Sequence, residues 1–158
     1  MARPKADTIP SMEHGNGIYD FPRKNAFSRF SRHVHGTESG LIAALFPAEP
    51  SPRAQNALEK SALALGWGAE AVCYVETDGL DARELLQIIE GIDPVAVVIA
   101  SASSAQAFFA AYHLQPIGNE RFTALCREVR SIPCFEELME SPDGRQRIWA
   151  VLKTLPRP

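Results

Sequence analysis

Residues 94–112 read PVAVVIASASSAQAFFAAY, and this stretch decides the fold. Val95 to Ile99 form an unbroken apolar run, with Pro94 before it and small polar residues after it. A run this short, with no polar alternation, predicts a strand buried on both faces, as in a parallel sheet. Ser101 to Ser104 then supply a tight turn with capping hydroxyls, and Ala105, Phe108, Phe109 and Tyr112 follow at helical spacing. A strand feeding a helix in this way is the repeating unit of an α/β sheet, whose strand carboxyl ends are the usual place for ligands.

The flanking sequence repeats the unit. Gly40 to Phe46 predicts a first strand, ended by PAEPSP. Ser51-Pro52 reads as a helix cap with proline at the first helical position, and Ala54, Leu58, Ala62 and Leu65 carry the apolar stripe to Gly66. Ala71 to Val75 predicts a second strand with Glu76, Thr77 and Asp78 at its carboxyl end. Asp81 and Glu84 have capping-box spacing ahead of Leu85, Leu86, Ile88 and Ile89, and Gly91 is expected to close that helix. Beyond Tyr112, Phe122–Leu125 and Val129–Ile132 are weaker strand candidates, and Phe135, Leu138 and Met139 suggest a helical turn. Ser141-Pro142-Asp143 starts a final helix. Its stripe of Ile148, Trp149, Leu152 and Leu155 makes Trp149 an expected core anchor. This order predicts a three-layer α/β/α sandwich with a mostly parallel central sheet of four or five strands, spanning residues 37–158.

A chain of 158 residues, 46% apolar, suits one such domain. The net charge of −3 carries no global signature for nucleic acid, but it is unevenly spread. Six Lys and Arg residues lie within positions 1–35, among them Arg3, Lys5 and Arg32. Residues 1–36 mix Pro, Gly, Ser, His and Arg without periodicity and predict a flexible basic arm. An arm of this kind can contact nucleic acid or an acidic partner, or act only as a solubilising tail. Phe27 and Phe30, three apart, allow a short helix that docks on a partner or on the body.

Cys73, Cys126 and Cys134 form no C-x-x-C pair, and His14, His33 and His35 match no ligand spacing, so neither metal nor cofactor is expected. There is no apolar run of membrane-spanning length and no secretory leader, so a cytoplasmic protein is expected. Neither the dinucleotide nor the triphosphate glycine motif is present, nor G-x-S-x-G. Glu76 and Asp78 are the best-placed carboxylates for orienting water, although ETDG is equally ordinary turn chemistry. Ser101, Ser103 and Ser104 sit where a helix N-terminus can hold an anion. His113 has no assignable partner.

The ordered segments resemble the uracil-DNA glycosylase superfamily over roughly residues 41–155. The segments concerned are QNALEKSALALGW leading into AEAVCYVET, and ARELLQIIEGIDP leading into VAVVIASASSAQAFF. IPCFEELMESPDGRQRIWAVLK is similar to the segment of those enzymes that begins His-Pro-Ser/Ala-Tyr and ends with a basic residue, Trp and Leu-Lys. The resemblance implies the same sandwich fold and a base-extrusion cleft. It also exposes departures. Ile132 stands where active relatives have the histidine that stabilises the uracil anion. In FPAEPSPRAQN the Gly-rich first motif is missing, and Glu49 and Asn56 are the polar residues left to position water. The uracil-reading asparagine would lie near Glu76 or Thr77.

A non-enzymatic relative, the psi subunit of the bacterial DNA polymerase III clamp loader, has a similar layout of arm and body. That likeness implies a protein partner held by Phe21, Phe27 and Phe30, with Arg23, Lys24 and Arg29 beside them. Two readings follow. One is a non-catalytic adaptor in DNA replication or repair, with an old cleft bordered by Ser101, Ser103, Ser104 and Ile132. The other is an active DNA glycosylase or related nucleic-acid hydrolase using Glu49, Asn56, Glu76 or Asp78.

Overall fold

The computed structural model describes residues 20–68, 70–116 and 118–158, without the side chains of Asp20 and Phe21. The deciding stretch becomes β4 (Ala96–Ile99), buried at every position, followed by α4 (Ala102–Ala111). On one side β4 pairs in parallel with β2 (Ile42–Phe46), with Ile42 opposite Ala96 and Leu45 opposite Ile99. On the other it pairs in parallel with β6 (Arg127–Ser131), with Ile99 opposite Ser131. Strand β3 (Val72–Glu76) lies parallel on the far side of β2. The two edges are antiparallel: β1 (Val34–Gly36) on β3 and β5 (Arg121–Ala124) on β6. The sheet order is β1-β3-β2-β4-β6-β5.

Six strands replace the four or five expected. The additional edge is β1, drawn from the segment read as an arm. The weak candidates around Phe122 and Val129 form the β5–β6 hairpin, turned by Leu125 and Cys126 in left-handed conformations (φ 46° and 63°).

The crossovers place the layers. The step from β2 to β3 and the step from β3 to β4 run in opposite directions along the sheet. Right-handed connections therefore put their helices on opposite faces. One face carries α2 (Pro52–Ala64), α5 (Phe135–Leu138) and α6 (Pro142–Leu152) over Ile42, Phe46, Tyr74 and Val98. The other carries α1 (Asp20–Arg29), α3 (Ala82–Ile92) and α4 over Leu45, Val75, Val97 and Val129. The fold is thus a mixed α/β sandwich, with helices on both faces of a six-stranded sheet.

Local chemistry starts the helices where the sequence places them. Ser51, Asp81, Ser101 and Ser141 each accept a hydrogen bond from the backbone N–H three residues on, and Asp81 with Glu84 completes the capping box.

Two glycines act by absence of a side chain. Gly91 lies inside α3 rather than ending it, and a Cβ there would come within 3.1 Å of Ala26 Cβ and of the Pro22 carbonyl. It lets α1 cross α3 closely. At Gly144 a Cβ would sit 2.0 Å from the Leu138 carbonyl oxygen, so only glycine allows α6 to start against α5.

Residues 20–36, expected within the flexible arm, are built into the body. Ala26 and Phe30 of α1 are buried, and Arg23 Nε donates to the Ile92 carbonyl at 3.0 Å. At the amino edge of the sheet, the buried Arg127 donates to the Pro94 carbonyl at 3.1 Å and to the carboxylates of Glu90 and Asp93, both at 2.8 Å. Among the described residues no helix is long and apolar enough to cross a membrane.

Candidate functional site

Strands β2 and β4 are neighbours, and their following helices leave to opposite faces. The carboxyl ends of such a pair form the crevice where open α/β sheets bind ligands. Four segments meet along this edge: the loop 47–51 after β2, Thr77–Gly79 after β3, Ser101–Ser104 at the start of α4, and Ile132–Cys134 after β6.

The serines and Thr77 are joined in a hydroxyl chain. Ser101 Oγ lies 2.9 Å from Ser104 Oγ, which lies 2.8 Å from Thr77 Oγ1, which donates to the Phe46 carbonyl at 3.3 Å. Each hydroxyl has one proton, so donation runs consistently from Ser101 through Ser104 and Thr77 to that carbonyl. Ser104 is fully buried, and Ser101 also accepts from the Ser104 N–H as the cap of α4. Ser103, on the exposed side of the turn, lies 3.2 Å from Ser101 Oγ. These groups join the ends of three strands. Among the described residues no imidazole or carboxylate hydrogen-bonds to these hydroxyls to activate one of them.

The loop after β2 is closed by a residue from the other end of the sequence. Glu136 of α5 accepts from the Ser51 N–H at 2.8 Å and from the Ser51 hydroxyl at 2.7 Å. The carboxylate thereby occupies the N-terminus of α2, the position where a helix favours negative charge. Glu49 and Asn56 are exposed and hydrogen-bond to none of the strand-end residues described.

Glu76 points elsewhere. Its carboxylate contacts His35 Nε2 of β1, and its backbone pairs with His33: Glu76 N–H donates to the His33 carbonyl at 2.7 Å, and His33 Nδ1 lies 3.0 Å from the Glu76 carbonyl. Asp78 is exposed beyond it. His113 follows the far end of α4, at the amino edge of the sheet, and His14 lies outside the described residues. Among the described residues no three His, Cys, Asp or Glu side chains are grouped to hold a metal ion.

Ile132 is 4% exposed and packs in the same apolar cluster as Phe46, Phe135 and Met139. Its N–H donates to the Ile99 carbonyl at 2.7 Å, and a β-bridge sets Ser101 against Cys134. The serine turn and Ile132 are therefore neighbours. A cleft of about 450 Å³ opens beside them between α4, residues 118–120, the segment Ser131–Cys134 and Arg147. Of the four residues expected to border the cleft, Ile132 lines it and Ser101, Ser103 and Ser104 do not; nor do the candidate catalytic residues Glu49, Asn56, Glu76 and Asp78. Cys73 is buried in β3, beneath the α1, α3 and α4 layer, and burial pushes its thiol up to about 12. It is a packing residue rather than a nucleophile.

The aromatic anchors expected to hold a partner are largely used by the body itself. Phe30 is buried, Phe27 is half-buried against the α1/α3/α4 core, and the Arg29 guanidinium stacks 5.1 Å from the Phe30 ring centre. Lys24 is exposed; the side chain of Phe21 and residues 1–19 lie outside the described residues.

Two residues carry more than the sequence signals. Glu136 belongs to an unremarkable acidic pair in FEEL, and nothing local announces a contact 85 positions away. Trp149, expected as a core anchor, is 40% exposed, because the buried positions of α6 are Gly144, Ile148 and Leu152 and Trp149 lies beside that stripe. No protein-family model matches the chain, and no curated protein matches it.

Proposed function

We propose that this chain is a non-catalytic, uracil-DNA-glycosylase-like domain that serves DNA replication or repair by holding a protein partner. The observation that carries the reading is Ile132. It stands where the resemblance calls for a histidine, and its side chain is buried among Phe46, Phe135 and Met139. An alkyl group cannot donate to a developing uracil anion, so the electrostatic stabilisation of base release is missing. The surrounding polar groups support the same reading. The hydroxyls of Ser101, Ser104 and Thr77 satisfy one another, and Glu136 fills the N-terminus of α2. The competing reading, an active glycosylase or related nucleic-acid hydrolase, has the contact between His35 and Glu76 in its favour.

The test is uracil release from single- and double-stranded uracil-containing DNA, followed by strand scission at abasic sites. The expected result is no release above the uncatalysed background. Excision that Glu76→Gln or Glu49→Gln abolishes would overturn the reading.

A further inference from the structure

Helices α2 and α6 leave a groove of about 290 Å³ between them on the outer face of the sandwich. Its α2 wall is made of small residues, Ala57, Ser61 and Ala64, and its α6 wall includes the half-exposed indole of Trp149. The Ser61 hydroxyl has its one proton engaged, donated to the Ala57 carbonyl at 2.7 Å. The charged residues that line the groove are Lys60 and Arg145, both cations. Arg145 lies one turn before Trp149 on α6, and its guanidinium is steadied by donation to the Met139 carbonyl at 3.1 Å.

An apolar slot bearing an exposed tryptophan and lined by positive charge alone is complementary to one kind of occupant. We infer that the groove between α2 and α6 docks a short acidic peptide segment of a protein partner. A Leu or Phe side chain of that segment enters beside Trp149, and flanking Asp or Glu carboxylates pair with Lys60 and Arg145. Tryptophan and arginine are the residue types that concentrate binding energy at interfaces. A nucleic-acid strand is the poorer fit. It needs a continuous track of cations and a series of stacking rings, whereas one indole and two cations line this groove. The inference rests on the groove and not on the glycosylase likeness.

Panning a displayed library of random dodecapeptides on the immobilised full chain tests the proposal. The enriched peptides are expected to pair Leu or Phe with Asp or Glu, and to weaken as salt is raised. Their synthetic versions are expected to lose at least about tenfold in affinity on Trp149→Ala and on Lys60→Glu, both exposed positions whose exchange leaves the core intact. An oligothymidylate of twelve nucleotides, titrated in parallel, is expected to bind more weakly than these peptides. Enrichment of basic peptides, no enrichment, affinities unchanged in both variants, or tighter Trp149-dependent binding of the oligonucleotide would each overturn it. None of these outcomes depends on whether the protein releases uracil.

Discussion

Glu136 and Ser51 are 85 residues apart in sequence, yet one carboxylate accepts both the backbone N–H and the hydroxyl of the serine, at 2.8 and 2.7 Å. Ser51 is at the same time the cap of α2, accepting from the Ala54 N–H at 3.1 Å. A single side chain of α5 therefore completes the helix start that follows the first parallel strand. It ties the C-terminal helices to the carboxyl edge of the sheet.

Removing that carboxylate should cost stability. Hydrogen bonds to a charged acceptor contribute more than neutral ones, so Glu136→Ala is expected to lower the unfolding free energy by about 2 kcal/mol. Glu136→Gln keeps one acceptor oxygen and should lose less. Urea unfolding of the three proteins checks this; equal midpoints would show that the contact contributes nothing.

A second expectation concerns acid. Burial pushes the Glu90 carboxyl up, but hydrogen bonds from Arg127 and Tyr112, together with the Arg127 charge, outweigh it and hold the group below its ordinary 4.5. Because the folded-state value is the depressed one, the unfolded chain takes up this proton first. The stabilisation is therefore fully present above that ordinary value and is lost as pH falls through the folded one. Its size is modest, since the Glu90 side chain is 48% exposed. Arg127→Met should lower stability at neutral pH and flatten the fall in stability below about pH 4.5, as read from urea midpoints across the acid range. An acid limb as steep as in the unsubstituted protein would exclude the Glu90–Arg127 pair as its source.

The location of α1 makes a third. Phe30 is 8% exposed and belongs to the core beneath α1 and α3. Phe30→Ala is expected to destabilise the whole domain by about 3 kcal/mol, the usual scale for deleting a buried ring. A residue serving only a detachable arm would leave the thermal midpoint unchanged, so calorimetry separates the two roles directly.

The strands and helices of residues 40–112 are legible in the sequence because local and global preferences agree there. An apolar run such as Val95–Ile99 suits a central parallel strand, and Ser51, Asp81 and Ser101 announce the helices that follow. The segment Val34–Gly36 is not legible. Three residues carry no periodicity, and their pairing with Cys73–Val75 is a contact across the chain. Gly91 misled for a related reason. A glycine near a helix end reads as a stop, while its true constraint is the approach of Ala26 from another helix.

The candidate site divides in the same way. By itself the sequence determined which groups stand at the strand ends: the serine turn, Thr77, Glu76, and an isoleucine at position 132, all placed by chain order. Only the tertiary structure decided what those groups do. Hydrogen bonding is short-ranged and directional, so whether Thr77 meets Ser104, Glu136 meets Ser51 or Glu76 meets His35 depends on the packing of elements distant in sequence. The same packing turned Trp149 outward over the groove between α2 and α6, where a helical stripe alone would have buried it.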